Sequence, residues 1–546
     1  MHLTHGLDRI GAAAVLVRTM ARAGVVQPHA PWRLARVGRT VLQWGTGPAG
    51  GFQTLYHRWP DRACLVDERG TLTNRDVHER SNALAHALAD LGVAEGDSVA
   101  MMCRNHRYFV DVSVGVAKLG ADVLYLNTAF AGPQLVEVLE REQPSVVVYD
   151  EEFAGLVGST SVGRQVLAWV EHPDDPDARA NDLPTVDELV GRESTDDLPP
   201  PRRHGRVVIL TSGTTGTPKG APRNDPGLDA AVAILERIPL RAGMRVHIAA
   251  PLFHTWGFAH LALSMLLGTT MVLRRRFDPE DFLATIQDER CDAVVVIPVM
   301  LQRVMSLDPE IRGRFDLSRV HVVTSSGSAL PGDLATRWMD QYGDNLYSTY
   351  GSTEVAYGSI ATPADLRAAP GTAGRPPVGT VVRILDDDGR EVADGRTGRI
   401  FVGNSMLFEG YTGGGGKEVV DGLMSTGDVG RIGADGRLSV EGRDDEMIVS
   451  GGENVFPQEV EDCLARHEAV VEAAAIGVDD DDFGKRLRAF VVLTDSGTGE
   501  GVTEDALKSW VKDNLARYKV PREIVVVDEL PRNATGKVLK RDLPTD

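Results

Sequence analysis

Apolar residues recur at helical spacing over residues 76–91, which predicts an amphipathic helix. Short apolar runs follow at 99–102, 123–126 and 146–149, separated by further helical stretches. That alternation predicts a doubly wound parallel sheet. A polar, Pro- and Asp-rich stretch at 172–203 reads as a surface loop, after which strands are predicted again at 207–210, 246–249, 294–297 and 320–323. Over 379–442 the texture changes to short strands with turns such as Asp387-Asp388-Gly389 and Asp435-Gly436, the pattern of a small barrel or sheet. The last segment reads as α+β, with helices at 457–467 and 504–515 and strands at 473–478 and 488–493. No internal repeat is present, and the acidic run 479–482 reads as a solvated turn. At the N-terminus Leu7, Ile10, Ala14 and Val17 fall on one side and arginines on the other. This predicts an amphipathic helix packed on its own domain, with a membrane-surface or oligomer (homodimer) contact as the alternatives.

Composition narrows the class. The 546 residues are 42% hydrophobic and 25% charged, ordinary for a globular chain long enough for two to four packed units. The formal net charge of −20 disfavours bulk electrostatic binding to nucleic acid or anionic lipid. Cys64, Cys103, Cys291 and Cys463 have no paired spacing, so neither a disulfide framework nor a zinc site is predicted, and the usage fits a reducing cytoplasm. No apolar run has membrane-spanning length.

The first chemical signal is a loop. Directly after the predicted strand 207–210 comes Thr211-Ser212-Gly213-Thr214-Thr215-Gly216-Thr217-Pro218-Lys219-Gly220. Glycines let backbone N–H groups converge on one anion, hydroxyls add donors, and a lysine adds charge. A Walker A loop ends in Gly-Lys-Ser/Thr; here Pro218 precedes Lys219 and Gly220 follows it. A nucleotide phosphate loop of another kind is indicated.

That run resembles the signature of the adenylate-forming superfamily of acyl-CoA synthetases, luciferases and peptide-synthetase adenylation domains. Further resemblances appear in order: Pro251-Leu252-Phe253-His254, Ser326-Gly327-Ser328-Ala329-Leu330, Tyr350-Gly351-Ser352-Thr353-Glu354, Ser425-Thr426-Gly427-Asp428 and Gly442-Arg443-Asp444-Asp445. Val449-Ser450-Gly451-Gly452-Glu453-Asn454-Val455 and Pro531-Arg532-Asn533-Ala534-Thr535-Gly536-Lys537 complete the series. The wording around Gly451 is most similar to bacterial fatty- and carboxylic-acid CoA ligases.

The resemblance implies an α/β fold: a large N-terminal domain of doubly wound sheets plus a small barrel-like sheet (1–444), then a smaller, mobile α+β C-terminal domain (445–546). It implies ATP, Mg²⁺ and coenzyme A, with a small carboxylic acid as partner. Thr211 to Gly216 and Lys219 would cradle phosphates; Gly327, Ser328 and Ala329 would flank adenine, with Tyr350, Gly351 and Ser352 nearby. Thr353 would offer a hydroxyl to the α-phosphate and Glu354 a carboxylate to Mg²⁺. Asp428 and Arg443 would hold the ribose, and Lys537 would bridge carboxylate and phosphate oxygens as their bond forms. Asp445 is the implied hinge, and Gly451, Gly452 and Asn454 the coenzyme A side, where glycine lets a thin pantetheine arm approach the backbone.

His254, Trp256, Gly257 and Phe258, with Gly327 and the Val355-Ala356 pair, are the candidate acyl pocket. Small residues beside aromatics point to a bulky or long apolar acid. Three departures stand out: Gly398-Arg399-Ile400 where the family usually has Gly-Glu-Leu, a Gly413–Gly416 run in a shortened segment, and Leu423 in place of a tryptophan. None removes a charged catalytic group. A different acceptor, an amine or a carrier-protein thiol, is the enzymatic alternative, and a non-catalytic scaffold the alternative from another class.

Overall fold

The computed structural model describes residues 14–26, 31–160, 163–173, 182–211, 219–220, 228–408, 410, 416–446, 448–450, 453–480, 484–494, 502–533 and 536–545. The chain divides into two compact units. The first is Met1–Val296 with Gly313–Thr324 and Ser405–Gly416; the second is Ile297–Arg312 with Ser325–Asn404 and Lys417–Asp546.

The first unit holds β1 (Ala63–Asp67), β2 (Gly70–Thr73), β3 (Ser98–Met102), β4 (Asp122–Tyr125), β5 (Val146–Tyr149), β6 (Gln165–Leu167), β7 (Val207–Thr211), β8 (Lys219–Gly220), β9 (Arg245–Ile248), β10 (Thr270–Val272) and β11 (Ala293–Val296). One sheet runs β6-β5-β3-β4-β7-β8, parallel except for β8 on β7. A second has the neighbours β2-β1-β10-β9-β11, parallel apart from the β1–β2 hairpin. Strands β4 and β5 are buried throughout, which is why they read as unbroken apolar runs rather than as alternation. Met102, Leu124, Tyr149, Leu167 and Leu210 belong to one core under the first sheet.

The helix expected over 76–91 is Asn74–Asp90. Its start is fixed by a reciprocal cap: the Asp76 N–H donates to Thr73 Oγ1 at 3.1 Å, and the Thr73 N–H donates to Asp76 Oδ2 at 2.7 Å. The stretch 172–203 is not all loop: Val186–Arg192 is helical, capped by Thr185 and Glu188 in the same way. That Thr-x-x-Glu signal sits among aspartates and prolines that hid it. The β1–β2 hairpin also escaped the pattern reading. In the N-terminal segment residues 14–22 are helical, while Leu7 and Ile10 lie outside the described residues.

In chain order the next strands are β12 (Val322–Ser325), β13 (Leu346–Tyr350) and β14 (Ser359–Ala361). In the second unit β13 and β14 pair antiparallel. A small antiparallel sheet follows, of β15 (Val381–Leu385), β16 (Gly398–Gly403), β17 (Val419–Val420), β18 (Leu423–Ile432) and β19 (Leu438–Arg443), in the order β15-β16-β18-β17 with β19 also on β18. The α+β segment comprises β20 (Ile448–Ser450), β21 (Glu453–Val455), β22 (Val470–Asp480), β23 (Gly484–Leu493) and β24 (Glu523–Val526). Their order is β21-β20-β23-β22, with β24 parallel to β23. Helices Pro457–Ala465 and Glu504–Asn514 bring Val460, Leu464 and Leu507 into one core with Ala489 and Val491. Asp479 and Asp480 are strand residues, not a turn; residues 481–482 are outside the described set.

Candidate active site

In the second unit Tyr350, Asp428 and Arg443 form a connected set. Strand pairing places Asp428 of β18 directly opposite Arg443 of β19, and opposed residues on one face are neighbours. Arg443 Nη1 lies 3.3 Å from Asp428 Oδ1 and donates to Thr426 O at 3.3 Å. Gly427, at φ +79°, leaves room for this: a Cβ there would come within 3.1 Å of the guanidinium nitrogens. Tyr350, the last residue of β13, donates its hydroxyl to Asp428 Oδ2 at 2.5 Å. Burial raises the proton affinity of the Asp428 carboxyl, with Tyr350, Arg443 and Lys537 opposing it. Burial beside that carboxylate holds the Tyr350 hydroxyl firmly protonated.

Lys537 therefore acts electrostatically on Asp428, although nearly two hundred residues before it separate Lys537 from Tyr350 in the chain. Its side chain is exposed. Its backbone is held by a tight turn: the Lys537 N–H donates to Asn533 Oδ1 and the Asn533 N–H to Lys537 O, both at 2.9 Å. Gly536 sits at φ +78°, and a Cβ there would be 2.5 Å from Val299 Cγ1 and 3.0 Å from Ile297 Cδ1. Glycine is required twice over, by backbone sign and by close approach.

The Tyr350-Gly351-Ser352-Thr353-Glu354 segment turns back on itself. The Gly358 N–H donates to Tyr350 O and the Tyr357 N–H to Val355 O, each at 2.8 Å. Ser352 Oγ accepts from the Glu354 and Val355 N–H groups at 3.3 and 3.4 Å. Ala356 adopts φ +61°, an unusual conformation for a residue with a side chain. What holds it is Asn404, whose Nδ2 donates to both Val355 O and Tyr357 O at 2.8 Å. Glu354 and Thr353 are half-buried. Nearby, Ser326 Oγ donates to Thr349 O at 2.8 Å, which pins the Gly327-Ser328-Ala329 turn to the end of β13 and leaves those three residues exposed.

In the first unit the expected phosphate loop is bracketed by two strands that meet: Thr211 on β7 pairs with Lys219 on β8. Ser212, Gly213, Thr214, Thr215 and Gly216 lie outside the described residues. Helix Thr255–Leu267 carries Trp256, Gly257 and Phe258 of the candidate acyl pocket. Trp256 is a core residue there, its Nε1 donating to Val296 O at 3.0 Å. Gly257 is explained by packing, since a Cβ would stand 2.2 Å from Pro251 O. Phe258 is half-buried, its ring 5.5 Å from that of Tyr125. His254, just before the helix, is neutral at pH 7 because desolvation lowers its pKa to about 4. The segment before it is tied by Asn105, which donates to Ile248 O and Ala250 O at 3.1 and 2.9 Å and accepts from the Leu252 N–H at 2.8 Å. Neither Asn105 nor Asn404 was foreseen, because a single asparagine beside a glycine- or apolar-rich segment carries no spacing signal.

Asp445 lies in the short turn Asp444–Glu446. Arg399, one of the sequence departures, makes ion pairs with Glu418 and, at 3.3 Å, with Asp444. Lys540 pairs with Glu446 and Glu461, both at 2.8 Å. Leu423 packs over Gly403, where a Cβ would meet Leu423 Cδ2 at 2.6 Å. Asn454 is on β21 opposite Val449, while Gly451, Gly452 and most of the 413–416 run fall outside the described residues.

This is the fold of adenylate-forming enzymes. Residues 52–412 match the family described as AMP-binding enzyme, and residues 459–537 match the AMP-binding enzyme C-terminal domain. The chain is 33% identical over 501 residues to a feruloyl-CoA synthase of Amycolatopsis sp, covering 90% of this chain and 98% of that one. It is 34% identical over 502 residues to an indoleacetate–CoA ligase of Aromatoleum aromaticum, covering 89% and 94%. A crystal structure of an anthranilate CoA ligase in complex with anthranoyl-AMP superposes with a TM-score of 0.80 at 25% identity, covering 91% of this chain and 96% of that one. The chain belongs to the AMP-binding enzyme family.

Proposed function

We propose that this protein is an AMP-forming carboxylic acid–CoA ligase acting on bulky or long apolar acids in the cytoplasm. The observation that carries the proposal is the Tyr350–Asp428–Arg443 set with the Lys537 charge acting on it, a grouping drawn from four separate segments. A scaffold has no chemical need for such a grouping. Two relatives with near full-length matches are CoA ligases of aromatic acids, which supports a bulky acyl group. Four buried free thiols, Cys64, Cys103, Cys291 and Cys463, support a reducing compartment.

The reaction has two balanced steps. A carboxylate oxygen attacks the α-phosphorus of ATP and pyrophosphate leaves, giving acyl-adenylate. The thiol sulfur of coenzyme A then attacks the acyl carbon, AMP leaves, and the thiol proton passes to solvent. Bringing two anions together requires local positive charge and fixed geometry. Asp428 accepts from the ribose hydroxyls, and Arg443 both orients Asp428 and donates to the sugar. Lys537 stabilises charge between the carboxylate and phosphate oxygens. Thr353 donates its hydroxyl to the α-phosphate, and the exposed Gly327–Ala329 turn borders adenine beside Tyr350. The 211–219 loop cradles the terminal phosphates.

Mg²⁺ suits the residues present: Glu354 offers a half-buried carboxylate on a tightly turned segment, the oxygen ligand this ion takes alongside phosphate oxygens. It supplies charge neutralisation on the polyphosphate. We assign residues 1–444 to the adenylation domain and 445–546 to a domain that turns about Asp445 between the two steps, bringing Gly451, Gly452 and Asn454 to coenzyme A. Acid-dependent pyrophosphate exchange, followed by coenzyme A-dependent AMP release, tests the reading. Exchange with octanoate or an aryl acid above that with acetate is expected; preference for acetate overturns the substrate class.

A further inference from the structure

The matched family region begins at residue 52, leaving an N-terminal segment outside it. Its composition is inverted relative to the rest of the chain. Residues 1–44 contain six arginines and a single acidic residue, Asp8, in a protein whose formal net charge is −20.

The described part of this segment is folded onto the first unit. The Ala242 N–H donates to Ala23 O at 2.7 Å, Arg58 Nη2 donates to Val25 O at 3.4 Å, and Met20 and Ala23 are buried. Helix Pro31–Trp44 is anchored by Trp44, which packs with Ala49, Ala117 and Leu198. The other side of that helix faces outward. Trp32, Ala35, Arg36, Arg39 and Leu42 are all exposed, at spacings of three, four, seven and ten residues from Trp32, so they share one face. Leu42 is 85% exposed and Trp32 56%; Val17 and Val26 on the preceding segment are above 60%. Among the described residues, Arg18, Arg22, Arg36 and Arg39 have no carboxylate partner in an ion pair.

An outward helix face carrying a tryptophan and a leucine with arginines between them has the makeup of an interfacial helix. Arginine stems lie along apolar surface while their heads reach phosphates. Among the described residues no helix is long and apolar enough to cross a membrane. Lying in the surface is the remaining way for this face to be covered by lipid. The global −20 does not oppose this, because at physiological salt a charge is felt over only about 8 Å. A bilayer meeting this face meets Arg36 and Arg39.

We propose that the N-terminal segment docks the protein on anionic phospholipid surfaces, with Trp32 and Leu42 entering the headgroup layer and Arg36 and Arg39 meeting lipid phosphates. The proposal does not depend on the ligase reading. Its test is co-sedimentation of the full-length protein with vesicles of phosphatidylcholine plus phosphatidylglycerol, against phosphatidylcholine alone. Binding to the anionic vesicles should exceed binding to neutral ones at least tenfold and be released at about 0.5 M salt. Leu42→Ser and the double variant Arg36→Glu/Arg39→Glu should each weaken it at least fivefold, with unchanged melting temperature. Equal or absent binding to both vesicle types overturns the proposal. So does a concentration-dependent dimer that Leu42→Ser dissociates without any vesicle binding, which would make the face a contact between copies. If a variant fails to fold, wild-type salt release still decides, since salt-insensitive binding excludes the arginine–phosphate contact.

Discussion

Asp428 is pulled in two directions by its neighbours, and that makes its role measurable. Burial raises its pKa, and Tyr350, Arg443 and Lys537 lower it. A carboxylate with a raised pKa loses its charge as pH falls through a value above the usual range near 4. The KM for ATP should therefore rise on the acid side, and Asp428→Asn should raise KM and abolish that acid limb. Removing the Tyr350 hydroxyl bond by Tyr350→Phe should move the limb to higher pH, since that bond favours the ionised form. A pH profile of kcat/KM for ATP checks all three; a limb unmoved in Tyr350→Phe contradicts the assignment. Lys537→Ala should slow acid-dependent pyrophosphate exchange about 10²- to 10³-fold, the scale of losing one charge-stabilising group. It should still convert supplied acyl-adenylate with coenzyme A. Equal loss in both half-reactions would remove its step-specific role.

At the scale of elements, two turns carry the site, and each has a different lock. The Ala356 turn is held by Asn404 through two 2.8 Å hydrogen bonds. Asn404→Ala should cost about 1–3 kcal/mol, because two carbonyls lose their donor, and should raise the KM for the acid; thermal melting and steady-state kinetics report both. The Lys537 turn is locked by Gly536 against Val299. Gly536→Ala should impair adenylation while sparing thioester formation from supplied acyl-adenylate. These locks also mark how far the sequence could be read. Strand β7 was legible because its apolar residues run unbroken from Val207 to Leu210. The helix Val186–Arg192 was not, because a seven-residue helix among aspartates shows no apolar period. Trp256 and Gly257, both candidate pocket residues, also have packing roles, through the indole bond to Val296 and the close approach to Pro251. Asn105 and Asn404 were invisible, since their partners are backbone carbonyls and an N–H group brought together only by the folded chain.

For the whole molecule, net charge and local chemistry separate. The −20 describes solubility, while positive potential is gathered at Lys537 and Arg443 in one place and along the N-terminal arginines in another. Buried histidines set the response to acid. Desolvation lowers His247 and His260 to pKa values of about 4, so both are neutral in the folded protein where the unfolded chain binds protons. Between pH about 6.5 and about 4 the unfolded state takes up more protons, and stability must fall as pH falls, by about 1.4 kcal/mol per pH unit for each such group. Denaturant unfolding at pH 7 and pH 5 should show the loss, and His260→Gln should reduce its slope.

A single site that joins a carboxylic acid to AMP and then to coenzyme A must release AMP as acyl-CoA forms. Its most direct test follows ATP, acid and coenzyme A together, measuring AMP, pyrophosphate and acyl-CoA across a panel from acetate to octanoate and aryl acids. Equimolar AMP and acyl-CoA are expected, dependent on coenzyme A and strongest with the larger apolar acids. AMP released without acyl-CoA, or no acid-dependent pyrophosphate with any member of the panel, would contradict it.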